Sequence, residues 1–209
     1  MNFRIERVEH RPEEDLVRNL RQVTMLRRRD VKVYEKADIR LETLGVDRLH
    51  PAQRYILVQG LMKVRQLKWE LARLQYDLFR LDGYLKVWIE GGTEPVDLLP
   101  PVVEQWVEAN GKTVNIINDG MHRLYLAYLE WIDPQVILIR NVPREYPYYA
   151  FPNPTQWQGI DWMDSLPEGY VKKWHRIADY KTLYRDFNSA FDNVGAPRGR
   201  FDKAGSAAT

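Results

Sequence analysis

The feature that most constrains the fold is a join near the middle of the chain, Thr113 to Trp131, which reads TVNIINDGMHRLYLAYLEW. Val114, Ile116 and Ile117 form a β-branched run suited to a strand. Met121, Leu124, Tyr125, Tyr128 and Ile132 recur at the spacing of a helix's buried face. A strand that feeds a helix through Asn118-Asp119-Gly120 must turn sharply. Glycine permits that turn and lets a ligand approach the backbone. The N–H groups of the helix's first turn then point outward with the positive end of the dipole, a ready anion site. His122 and Arg123 fall in this turn and can add donors to a bound phosphate. Asp119 is placed to hold a metal ion or to act as a base toward a hydroxyl. The structural alternative is that Asn118 or Asp119 caps the helix while Arg123 pairs with a surface acid.

The flanking segments predict a mixed α/β (α+β) fold. Leu98–Val107 and Thr113–Ile117 read as strands joined by the hairpin signal Asn110-Gly111, and QVILIRNV after Asp133-Pro134 reads as a buried strand. Upstream, residues 12–29 predict a helix. Pro12 suits its first turn, with Glu13, Glu14 and Asp15 at the acidic end and Arg27, Arg28 and Arg29 in the last turn. The arginine run reads as a solvated helix end rather than a phosphate patch. Residues 31–44 alternate enough for a strand or two.

Val64, Leu67, Leu71, Leu74, Leu78, Leu81, Leu85 and Trp88 follow a three-four spacing. This predicts a long helix or helix pair, either a homodimer seam or a core element. Gly91-Gly92-Thr93-Glu94-Pro95 marks a boundary. The expected organisation is a mainly helical region over 1–92, a second unit over 93–194 and a flexible tail over 195–209. Residues 143–170, rich in proline and aromatic side chains, predict an ordered loop, and a last helix is expected from about Val171 to Phe191.

Composition narrows the chemistry. The 209 residues include no cysteine, which excludes disulfides, thiolate metal sites and cysteine catalysis. A net charge of +2 gives no reason to expect a sequence-blind nucleic-acid binder, although nucleic acid is not excluded. His10, His50, His122 and His175 lack metal-ligand spacing. The charged start, MNFRIERVEHRPEEDL, is unlike a secretory signal, and no apolar run reaches membrane-spanning length, so a cytoplasmic protein without a membrane segment is expected.

The segment VNIINDGMHRLYLAYLEW resembles the signature of the ParB/sulfiredoxin superfamily, in which a strand, a glycine loop and a His-Arg helix start bind nucleotide phosphates. Asp119-Gly120-Met121-His122-Arg123, with Ala127 downstream, is most similar to the Asp-Gly-His-His-Arg form of the free serine kinases and ParB-like members. The similarity spans roughly residues 96–142 and extends to Ile39–Arg54, where LHPAQR resembles the first ParB box. Met121 stands where sulfiredoxin needs a cysteine, so sulfinic-acid repair is excluded. Partitioning ParB proteins continue into a helix-turn-helix, which YPYYAFPNPTQW does not resemble.

The resemblance thus implies a small ParB/sulfiredoxin-like mixed sheet acting as an ATP- or ADP-dependent, magnesium-assisted kinase on a hydroxyl of a small molecule or nucleoside. The alternative is a dimeric ParB-like regulatory protein that binds nucleotide or nucleic acid without catalysis. Gly120, Met121, His122 and Arg123 are assigned to the phosphates, and Asp119 to the metal or base. Lys172, Lys173 and Arg176 would close over the anion, or else form a solvated basic face. Because the serine kinases resembled use a glutamate ahead of the glycine loop, Glu42 and Glu104 are candidate bases, with Glu104 favoured by its neighbouring strand. Residues 146–162 would line a substrate pocket or pack the core.

Overall fold

The computed structural model describes residues 3–194. β1 (Ile5–Pro12) leads into α1 (Glu13–Leu20), whose first turn carries Glu13, Glu14 and Asp15 as the dipole favours. The helix expected over 12–29 stops at Leu20. Val23 and Thr24 suit extended backbone, and β2 (Thr24–Met25) folds against β3 (Arg28–Lys32) as a hairpin. Arg27 and Arg28 are therefore not in a helix end, and they pair with Asp179 at 2.9 Å and Asp30 at 3.4 Å.

After β4 (Asp38–Thr43), β5 (Leu49–His50) and β6 (Tyr55–Leu57) comes α2 (Val58–Arg73). The leucine spacing predicts a helix running on to Trp88, but α2 ends at Arg73. Gln75 takes left-handed backbone (φ 67°), and the Asp77 carboxylate accepts the Phe79 N–H at 2.9 Å. From Gly83 the chain is a strand, β7 (Gly83–Ile89), paired antiparallel with β1. A four-residue step such as Leu81 to Leu85 returns to one face of a strand as well as of a helix, which is why the pattern misleads. Leu71, Leu78, Leu81 and Leu85 are buried within this chain. The single long helix expected over 64–88 is thus replaced by α2, a turn and β7, and of the two expected roles these four leucines take the core one.

β8 (Val96–Leu98) adds to β7, and Pro100-Pro101, which lack N–H donors, separate it from β9 (Val102–Val107). β9 and β10 (Thr113–Asp119) form the expected hairpin, with Gly111 at φ +80° in its turn. Then follow α3 (Met121–Leu129), β11 (Gln135–Arg140), β12 (Asp161–Met163) and β13 (Arg185–Asp186). The central sheet is mixed, with strand order β4-β11-β9-β10-β5. Its strand β11 is covered on both faces, as its unbroken apolar run requires. Val136 and Leu138 belong to the core cluster of Leu71, Leu124 and Leu126 on one side, while Ile137 and Ile139 belong to that of Leu16, Leu20 and Tyr34 on the other. The boundary expected near residue 92 does not divide this sheet, because β4 and β5 pair with β11 and β10.

The last helix, expected from Val171 to Phe191, is not formed. Short 3-10 turns at Tyr180–Leu183 and Phe187–Ser189 flank β13, which pairs with β2. Side chains here compete for the backbone. The Thr182 hydroxyl donates to the Asp179 carbonyl at 2.7 Å, and the Ser189 hydroxyl donates to that of Asp186 at 2.6 Å. The expected flexible tail lies outside the described residues. No described helix is long and apolar enough to cross a membrane.

Candidate functional site

At the end of β10 the chain bulges against β9 and turns through Gly120, which caps α3 with left-handed backbone (φ 85°, ψ 20°). A Cβ there would stand 2.8 Å from the Pro101 Cβ and 3.0 Å from the Arg123 Nη2. Glycine is required twice, by the dihedral angle and by the close approach. Arg123 is buried. Its guanidinium donates to the Leu99 carbonyl through Nη1 and to Asp119 Oδ2 at 3.2 Å through Nη2. Burial lowers its pKa from the ordinary value, and Asp119 works against that shift. The fork expected to hold phosphate is turned inward, fastening the elbow to the chain ahead of Pro100.

His122 faces the start of α2. Its Nε2 accepts the N–H of Leu57, the residue capping that helix, at 3.3 Å, and a Cβ on Gly60 would lie 2.6 Å from the same nitrogen. Burial lowers the His122 pKa, which favours the neutral imidazole that this acceptor role needs. Two helix starts therefore meet across one side chain. Neither α2 nor α3 has a side-chain cap or an acidic residue in its first turn. Like ends of two dipoles brought together are unfavourable unless negative charge joins them.

His50 behaves similarly, with Nδ1 accepting the Asn115 N–H at 3.3 Å and a pKa lowered by burial and by Lys112. Both histidines titrate near pH 6.5 once the chain unfolds. Their folded pKa values lie lower, so the unfolded chain takes up protons first as pH falls. Their contribution is full above about pH 6.5 and is lost below it. Thermal denaturation across pH 7.5 to 5.5 is expected to show a falling Tm, with a shallower fall in His122→Asn.

An open cleft of about 1470 Å³ runs beside the elbow. Asn118 and Asp119 line it from β10, Gln53 and Tyr55 from the approach to α2, and Lys172, Lys173 and His175 from the irregular C-terminal arm. Lys172 and Lys173 thus reach the site without the expected helix. The Lys173 ammonium donates to the Tyr148 hydroxyl at 3.1 Å and to that of Tyr149. Arg176 is drawn away. It pairs with Glu108, at 3.0 Å through Nη1, and its guanidinium lies 4.4 Å from the Phe151 ring centre.

Glu104 is fully buried. Its Oε1 accepts from the Tyr34 hydroxyl at 2.6 Å, Asn118 Nδ2 at 2.7 Å and Arg185 Nε at 2.8 Å. Its Oε2 accepts from Arg185 Nη2 and Trp106 Nε1, both at 2.9 Å. Five donors occupy the carboxylate, so as placed it is not a base facing substrate. Burial opposes the Arg185 charge, but Glu104 outweighs that and holds the guanidinium pKa above its ordinary value. Burial and the same carboxylate raise the Tyr34 pKa well above normal. Glu42 pairs with Arg140 at 2.6 and 3.0 Å, and neither residue lines the cleft. Of the three expected acids, only Asp119 opens on it. Arg185 lies in the segment whose pattern predicts the last helix; its partner is 81 residues away, so no local pattern marks it.

A mixed sheet whose strand β10 breaks through a glycine elbow into a helix, with LHPAQR on the adjoining β5–β6 segment, defines a ParB-like domain. The family model described as ParB CE domain matches residues 15–161, and the chain belongs to that family. No curated protein and no solved structure gives a significant match. The matched residues include the whole central sheet and both converging helix starts, whereas the arm bearing Lys172, Lys173 and Arg185 follows them.

Proposed function

We propose that this ParB CE domain binds a nucleoside di- or triphosphate, ATP or ADP in the first instance, with its phosphates at the joint start of α2 and α3. The observation that carries this reading is the meeting of two uncapped, acid-free helix starts on the neutral ring of His122. Asp119 and Tyr55, just ahead of the two helices, line the adjoining cleft, and Lys172 and Lys173 face it from the arm. In this arrangement Gly120, Met121 and His122 contribute backbone and Arg123 holds the corner in shape.

Phosphoryl transfer to a small hydroxyl-bearing substrate is the second reading, favoured by the exposure of Asp119 to the cleft. Among the described residues no three carboxylate or imidazole groups cluster as a metal cage. A magnesium ion carried by phosphates needs only one or two protein carboxylates, and Asp119 is the residue to supply one. The ion would neutralise charge on the transferring group.

A thermal-shift series with nucleoside mono-, di- and triphosphates, with and without magnesium, tests the binding. At a hundredfold excess over Kd the folded state gains about 2.7 kcal/mol. Gln59→Glu places an acid in the exposed first turn of α2. It is expected to stabilise the free protein by about 0.3–1 kcal/mol while weakening nucleotide binding, because the new carboxylate occupies the same field. A variant that loses stability, or binds nucleotide as well as the parent, contradicts the reading. Turnover by the parent separates the two readings, and persistent turnover in Asp119→Asn removes Asp119 from the chemistry.

A further inference from the structure

The cleft has a second character in its aromatic lining. His175 and Tyr180 stack face to face, with ring centres 3.5 Å apart and planes 3° from parallel, and both line the cleft. Tyr149 lies 6.1 Å from His175 and 6.4 Å from Tyr180. Nearly equal distances to two rings so close together place it beside the stack, not on top of it. Tyr184 packs edge-on against Tyr149 at 4.5 Å, buttressing the pair from the same side. His175 is exposed, so the stack ends at solvent. The arm that carries it is pinned by the buried Arg185–Glu104 pair and by the pairing of Ala150 with His175. The rings are thus a flat, half-open surface in the same cleft that Asn118 and Asp119 line.

We infer that the His175–Tyr180 stack is a nucleobase platform, on which the base of the bound nucleotide lies while its phosphates reach the two helix starts. The inference rests on the nucleotide reading above and adds the part of the ligand that the elbow does not address. Stacking on flat rings is strong and tolerant of base identity, because every base offers a π face. The burial that lowers the His175 pKa, helped by Lys173, keeps the ring neutral at physiological pH, and a neutral ring suits stacking. The two helix starts thereby belong to the residues matched by the family model, and base recognition to the arm that follows them, which also carries Lys172 and Lys173.

The test compares ATP, CTP and inorganic tripolyphosphate by calorimetric titration of the full chain. Both nucleotides are expected to bind the parent more tightly than tripolyphosphate. His175→Ala and Tyr180→Ala are expected to weaken nucleotide binding about tenfold while leaving tripolyphosphate binding unchanged. Tyr180→Phe, which keeps the ring, is expected to bind as the parent does. Nucleotides binding no tighter than tripolyphosphate, or alanine variants with parental ATP affinity, overturn the platform and leave the phosphate site standing. A parallel loss of tripolyphosphate binding in folded alanine variants also overturns it. Failure of the parent to bind any of the three removes the phosphate site and the platform together.

Discussion

Arg185→Met is expected to cost about 3–5 kcal/mol of folding stability, the usual consequence of stranding one member of a buried ion pair. Glu104 would keep the Tyr34, Asn118 and Trp106 donors but lose its cation in a site closed to water. Arg185 also donates to the carbonyls of Leu183 at 2.6 Å, Tyr146 at 2.8 Å and Pro147 at 3.2 Å, so the substitution releases the arm that walls the cleft. Against a typical total of about 5–15 kcal/mol, such a loss removes a large share of the fold's margin. Adding Glu104→Gln should recover part of it, since the amide oxygen still accepts from Tyr34 and Asn118 and no buried charge remains. Urea denaturation of the two single variants and the double variant measures this coupling. A double variant as unstable as the two single losses summed contradicts the pairing, as does Arg185→Met within about 1 kcal/mol of the parent.

Gly120→Ala is expected to be the next most damaging change. A left-handed L-residue costs about 1–2 kcal/mol, and forcing a methyl into a packed contact adds about 1–3 kcal/mol. The opposing atoms include the Pro101 Cα at 3.0 Å, backbone that cannot rotate aside. Gly111 supplies the control. Its φ is +80°, close to that of Gly120, yet a Cβ there meets nothing within 4 Å. Gly111→Ala should therefore cost the dihedral part alone. The difference between the two midpoints isolates the Pro101 contact, and equal losses would show that the elbow is not tightly packed.

These two sites also mark what the sequence could and could not reveal. The elbow, the β9–β10 hairpin and the doubly covered strand β11 were legible because each is specified within a few residues. A β-branched run, Asn-Gly or Gly-His-Arg spacing carries its own geometry. The 64–88 segment was not legible, since leucines four apart suit either a helix or a strand and only Gln75, Asp77 and pairing with β1 decide between them. The C-terminal arm failed for a different reason. Its apolar and basic residues alternate as on a helix, but Arg185 is needed by Glu104 and the turns are held by Thr182 and Ser189. Within the site, residue types were readable and directions were not. Arg123 faces Leu99 and Asp119, His122 faces α2, and the start of α2 was never part of the expected anion site.

Hydrogen exchange of the backbone amides, followed by mass spectrometry with and without ATP and magnesium, puts the central claim to the most direct trial. If α2 and α3 open onto one polyanion, peptides spanning residues 57–62 and 120–124 slow together on addition of nucleotide, and tripolyphosphate alone reproduces the effect. Slowing at only one of the two helix starts, or at neither under saturating nucleotide, would contradict the shared site.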